Sequence, residues 1–292
     1  MLLAQALVNG ILLGGLYACI AVGFSLIWGV MNLINLAHGS FVLLGAYVTA
    51  MLNQAFGLDP FLTIPFSGGV LFVLGYVIQR GLVNLVIARS VFTTLIFTFG
   101  LNMLLVNLLL LAFTADLRGI TVSYAGIVWQ LGGVRIPSTR VAVFLAALLL
   151  TALLSLFTNR TRLGAAIKAT SFDVDAARLV GIDVDHIYAA TFAIGAAMAG
   201  AAGSLIAVNL PFSPVVGDFY TMKAFVVVVL GGLGSIPGVL VGGMVLGITD
   251  NIASVVLDPG YRDAVSFTLL VLVLVLSPRG LFGKRFYAEI KA

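Results

Sequence analysis

From Asn159 to Asp185 the chain reads NRTRLGAAIKATSFDVDAARLVGIDVD. This stretch holds eight of the 26 charged residues: Arg160, Arg162, Lys168, Asp173, Asp175, Arg178, Asp183 and Asp185. Long apolar runs flank it, near 139–157 and 187–208. A polar, helix-competent loop between runs of that length belongs to a membrane protein and meets something soluble. The fold class follows from the flanks, and the partner follows from the loop.

Outward from the loop, the same contrast repeats. The 292 residues are 61% hydrophobic and 9% charged, against about 25% charged in soluble domains. The mean hydropathy is +1.19. The apolar runs are continuous and approach the roughly 20 residues that cross a bilayer as a helix. A barrel would alternate lipid-facing and lumen-facing residues. The expected fold is therefore all-α, a polytopic transmembrane helical bundle of about 8–9 segments, in one domain over 1–292. Spans are expected near 5–28, 40–56, 61–79, 92–113, 139–157, 187–208, 219–233, 238–256 and 263–277. The pair 219–233 and 238–256, joined by the glycine-rich run 231–238, reads either as a hairpin of full spans or as a re-entrant pair of broken helices.

Basic residues set the orientation, because they concentrate on the cytoplasmic side. With the N-terminus outside and the C-terminus inside, the inner side collects Arg80, Arg89, Arg160, Arg162, Lys168, Arg178, Arg279, Lys284, Arg285 and Lys291. The outer side keeps Arg118, Arg135, Arg140, Lys223 and Arg262. The loop at 159–185 is then cytoplasmic. The first basic residue is Arg80, so the apolar start reads as a retained span, not a signal peptide with its positive n-region. The net charge of +4 follows from topology and asks for no nucleic acid.

Residues 127–136, with Gly132-Gly133 at the centre, read as a small extracytoplasmic β-hairpin with a tight turn. Trp129 is placed at the outer interface and Trp28 at the inner one. Four-residue spacings put small residues on single helix faces: Gly10 and Gly14; Gly195, Ala199 and Gly203; Gly234, Gly238 and Gly242; Gly243 and Gly247. Such faces let backbones approach closely.

The chemistry that is missing is informative. Lone Cys19 excludes an internal disulfide and a cysteine metal cluster. No phosphate-binding loop is present, because the run 231–238 lacks the Lys-Ser/Thr ending. With only His38 and His186 there is no paired-histidine metal spacing, and no catalytic set assembles. Candidate translocation-path residues are Asn35, His38, Asn102 and Asp250. Asn35 and His38 lie where the first two helices turn, and His38 either satisfies backbone groups there or lines a path. Asn102 and Asn107 do not share a helix face, and each reads as an interhelical hydrogen bond or a substrate contact. Asp250 reads either as a helix-end acid near the outer interface or as a path residue, since interior acids mark pathways.

Within the charged loop, 173–182 forms an expected short helix. Asp173 and Asp175 complement its N-terminal dipole, Arg178 suits its last turn, and Gly181 ends it. Val174, Ala177 and Val180 give it an apolar stripe. A rigid two-faced helix of this kind suits a groove in a soluble partner.

At this loop the run Asp175-Ala176-Ala177-x-x-x-Gly181 resembles the E-A-A-x-x-x-G coupling loop of bacterial ABC-importer permeases, with Asp in place of Glu. Further runs resemble the branched-chain amino-acid permeases of the LivH type: 31–39 with Gly45-Ala46-Tyr47, 162–166, Gly181-Ile182, 191–200, 222–225, 231–238 and the closing 277–281. They stand in family order over nearly the whole chain, and 84–130 matches least. The resemblance implies an ABC-importer permease fold in the bacterial inner membrane. It also implies a LivM-like permease subunit as partner, two ABC ATPase subunits that hold ATP and Mg, and a periplasmic binding protein. Asp175, Ala176, Ala177, Arg178 and Gly181 would then couple to the ATPase. Branched-chain or related amino acids are the implied cargo, with urea or amides as alternatives. The competing class is an ion-coupled secondary transporter that needs no ATPase.

Overall fold

A computed structural model describes residues 1–277 and 280–282, so Arg279, Lys284, Arg285 and Lys291 lie outside the described residues. The chain folds into α1 (Leu2–Met31), α2 (His38–Phe56), α3 (Ile64–Gly81), α4 (Val91–Phe113), β1 (Val128–Leu131), β2 (Val134–Pro137), α5 (Ser138–Arg160), α6 (Arg162–Phe172), α7 (Val174–Leu179), α8 (Val184–Asn209), α9 (Gly217–Gly231), α10 (Ile236–Val256) and α11 (Arg262–Leu276). Eight helical segments among the described residues are long and apolar enough to cross a membrane. The ninth expected span is α11, whose 15 residues reach only about 22 Å at 1.5 Å per residue.

Local chemistry starts and stops these helices. Ser90 Oγ accepts from Thr93 N–H at 3.2 Å, Asp183 Oδ1 from His186 N–H at 3.0 Å and Ser235 Oγ from Gly238 N–H at 3.2 Å. Each satisfies a donor that the first helical turn leaves free. The α1 helix stops at Asn32, which adopts the left-handed conformation and returns its N–H to Trp28 O.

Two ends of the bundle are distinct. At one, Gln5 on α1 exchanges hydrogen bonds with the Arg135 backbone on β2, and Arg140 reaches Asn9. Here β1 and β2 pair antiparallel around Gly132 and Gly133, both at positive φ, as the two-glycine turn requires. Trp129 is exposed on this hairpin. The opposite end carries α6 and α7. Near that end Trp28 stacks on Phe225 with ring centroids 5.4 Å apart.

The helices break at places the sequence does not announce. His38 Nε2 lies 2.9 Å from Ile20 O, so α2 starts beside the middle of α1, eleven residues before α1 ends. Residues 32–37 therefore double back into the bundle as non-helical chain. A second return follows α8. Phe212 exchanges two backbone hydrogen bonds of 2.8 Å with Arg118, and Pro214 and Ser213 are buried on the way to α9. Non-helical backbone at such depth survives only where protein or a polar cavity satisfies it. The run 231–238 is different. Gly234 lies against Gly29, near the last turn of α1, so α9 and α10 form a hairpin turning at the α6–α7 end.

Close backbone contact holds the centre. A Cβ on Gly14 would lie 2.7 Å from Gly243 O, and one on Gly247 would lie 2.4 Å from Gly10 O. The two small-residue faces are thus each other's partners, joining α1 to α10. Hydroxyls tie α2, α3 and α8 together: Thr49 donates to Ser204 at 2.7 Å, and Ser67 and Ser204 lie 2.6 Å apart. Both patterns suit packing in lipid, where apolar burial alone does not select a neighbour.

Candidate functional site

Two polar centres lie within the bundle, and α9 belongs to both. The first is where the broken helices meet. A Cβ on Gly39 would lie 1.8 Å from Gly217 O, so glycine at the start of α2 lets it abut the start of α9. Thr221 Oγ1 accepts from Gly39 N–H at 2.8 Å. Asn102, midway along α4, bridges the two helices: its Oδ1 accepts from Ser40 Oγ at 2.6 Å and its Nδ2 donates to Asp218 at 2.9 Å. Thr98 on the same helix donates to Ile34 O at 3.0 Å. Asn35 Oδ1 accepts from Ala37 N–H at 3.1 Å. Asn35 Nδ2 and His38 Nδ1 are buried without a hydrogen-bond partner.

The second centre is ionic. Lys223 Nζ donates to Asp250 Oδ2 at 2.9 Å, to Ser266 Oγ at 2.7 Å and to Asp263 Oδ1 at 3.1 Å. Its three protons are all engaged. Tyr17 donates to the same Asp250 oxygen at 3.2 Å, and Ser266 donates to the other. Lys223 and Asp250 are buried while Asp263 is 58% exposed. Lys223 also lies 5.1 Å from the centroid of the Phe219 ring, within cation–π range.

Three of the expected path residues, Asn35, His38 and Asn102, thus come together at the helix junction. Asp250 belongs to the neighbouring ionic centre. It lies six residues before the end of α10 with no exposed surface, so it is not a helix-end acid at an interface. Two further expectations are corrected. The basic-residue count assigns Lys223 to the outer side, whereas the residue is buried and neutralised inside the bundle. Asn107 makes no interhelical hydrogen bond among the described residues; it is exposed and donates to Met103 O of its own helix. The signal for Lys223 was present: a charge inside the expected span 219–233 demands a buried partner. Nothing in one dimension points to Ser40, Asp218 or Ser266, which pair with residues 62, 116 and 16 positions away.

The charged loop forms two helices. Asp173 caps α7 by accepting from Asp175 and Ala176 N–H, each at 2.9 Å. Gly181 follows at φ +83°. Of the expected stripe Ala177 is buried and Val174 half-buried; Val180, and Leu179 beside it, are 76% and 89% exposed. Arg178 and Asp175 form an exposed pair at 3.8 Å, worth little in water. The helix therefore presents an apolar edge outward beside its charges.

Residues 6–274 match the family described as the branched-chain amino acid transport system permease component. The chain belongs to this family. The permease is 34% identical over 295 residues to the high-affinity branched-chain amino acid transport system permease protein LivH of Escherichia coli K12, covering 96% of this chain and 95% of that one. It is 28% identical over 294 residues to the corresponding LivM protein of Salmonella typhimurium, covering 91% of this chain and 67% of that one. Among solved structures, PsaBC from Streptococcus pneumoniae in complex with Fab aligns with a TM-score of 0.47 at 16% identity, covering 95% of the permease and 91% of that chain. Asn35, His38, Asp175 and Gly181 all fall within the matched span.

Proposed function

We propose that the permease is one of two unlike membrane subunits of an ATP-driven importer for branched-chain or closely related amino acids. A LivM-like chain is the second subunit. Two separate ATPases bind ATP and Mg and supply the energy, and a periplasmic binding protein delivers the cargo. The chain acts as one transmembrane unit over 1–292, with 159–185 as its coupling loop. The observation that carries this proposal is α7: a six-residue helix, rigidly capped by Asp173, with Leu179 and Val180 exposed beside Asp175 and Arg178. Apolar side chains held out on a capped surface helix favour a protein groove.

The orientation proposed places the N-terminus outside. Arg80, Arg89, Arg160, Arg162, Lys168 and Arg178 belong to the end that carries α6 and α7, whereas Arg118, Arg135 and Arg140 belong to the hairpin end. That bias favours a cytoplasmic α7.

Co-expression with candidate partners tests the assembly. The permease should co-purify with a P-loop ATPase and a second permease, and uptake of L-leucine into proteoliposomes should require ATP. Uptake by this chain alone in ATP-free vesicles would overturn the assignment in favour of an ion-coupled transporter. Binding assays on the co-purifying binding protein, with leucine, isoleucine, valine, urea and short amides, would separate the cargo classes.

A further inference from the structure

A cavity of about 250 Å³ adjoins the ionic centre, lined by Asp218, Phe219, Met222, Lys223, Val226, Asp263, Ser266 and Phe267. It lies between the N-terminal halves of α9 and α11. Its volume equals roughly eight waters at about 30 Å³ each. That accommodates a small amino acid and falls below the roughly 300–1,000 Å³ of drug-sized pockets.

Its lining has three chemistries in one place. Phe219, Met222, Val226 and Phe267 offer an apolar wall. Lys223 offers an ammonium. Asp218 and Asp263 offer carboxylates, both on exposed residues. Asp250 already balances Lys223 from the buried side, which leaves Asp218 and Asp263 in excess. Arg262 is half-buried and does not line the cavity. Asp218 also lies deep, since it is bonded to Asn102 halfway along α4. A carboxylate there is costly against hydrocarbon, so the cavity mouth faces water or another chain.

We infer that this cavity is a station for one zwitterionic amino acid with an apolar side chain. The inference rests on the importer function proposed above. The cargo carboxylate takes the place of Asp263 at Lys223 Nζ. Asp263, freed at the mouth, and Asp218 accept the cargo ammonium, while the side chain lies on Phe219, Met222, Val226 and Phe267. Affinity is low by design, because a site on a path must release what it holds.

Saturation binding of tritiated L-leucine to the purified permease assembly, with the binding protein omitted, tests this. Wild type should bind saturably in the millimolar range. Asp263→Asn should weaken binding roughly tenfold, the loss of about one charge-assisted hydrogen bond, and Asp263→Glu should restore part of it. Phe267→Trp, which adds bulk to the apolar wall of the cavity, should weaken it. Leucinamide, lacking the carboxylate, and 4-methylpentanoate, lacking the ammonium, should each compete at least about tenfold less well than L-isoleucine. If the complete wild-type importer takes up leucine but shows no saturable binding to about 10 mM, the station is wrong and the importer function stands. Competition by all three compounds alike, or binding indifferent to both Asp263→Asn and Phe267→Trp, also overturns it. If the complete importer takes up no amino acid, the proposed function fails, and the station fails with it.

Discussion

Lys223 and Asp250 meet at 2.9 Å with almost no exposed surface. Removing water from both charges is expensive, and their attraction offsets that cost only while every proton and lone pair is engaged. Ser266, Asp263 and Tyr17 complete the set. Lys223→Met alone should therefore destabilise by roughly 3–5 kcal/mol, because it strands a buried carboxylate. The double variant Lys223→Met/Asp250→Leu should recover most of that loss. Unfolding of the purified proteins in detergent measures both, and equal stability of single and double variants would show that the pair is uncoupled. The cationic identity of Lys223 is plain in the sequence. Its partner is not, because Asp250 and Ser266 reach it only through the packing of α9, α10 and α11.

Elements add constraints that no single residue carries. The α1 and α10 helices touch backbone to backbone at Gly10, Gly14, Gly243 and Gly247. Gly14→Leu should drive its side chain into Gly243 and Met244, an overpacking cost of about 1–3 kcal/mol or more. A Cβ added at Gly69 on α3 would meet nothing within 4 Å, so Gly69→Leu should be neutral; monodispersity and melting temperature of the two variants compare them directly. On α7, Leu179→Asp changes a side chain that is 89% exposed. Stability should hold within about 0.5 kcal/mol, while co-purification with the ATPase should fall sharply. Retained co-purification would remove α7 from the coupling role. Gly181→Pro should act similarly by a different cause: φ +83° is closed to proline, whose ring holds φ near −65°.

Across the whole molecule the chain enters at the hairpin end and its last described residues lie at the other. Leu281 and Phe282 donate backbone hydrogen bonds to Leu230 and Gly231 at the α9–α10 turn, the end that carries α7. A cytoplasmic reporter fused after Ala292 should therefore be active; an expressed but inactive fusion would invert the proposed orientation. Much of this was determined by the sequence alone. Unbroken apolar runs make helices in lipid because every backbone group must be satisfied within the segment. Asp173 and Gly181 bound a surface helix through strictly local hydrogen bonds, and Gly132-Gly133 closes a hairpin by its own backbone freedom. Small residues four apart announced close packing, though not that Gly10 and Gly14 face Gly243 and Gly247. Only the tertiary structure decided where helices stop inside the bundle. Residues 32–37 and 210–216 look like ordinary loops in one dimension. They run back into the protein because Thr98 donates to Ile34 O, Thr221 donates to Leu36 O and Arg118 exchanges backbone hydrogen bonds with Phe212, satisfying groups that lipid would leave bare. Those partners lie tens of positions away or more. The place where Lys223, Asp218 and Asp263 share a cavity is therefore a property of two helices brought together, α9 and α11, and no local pattern encodes it.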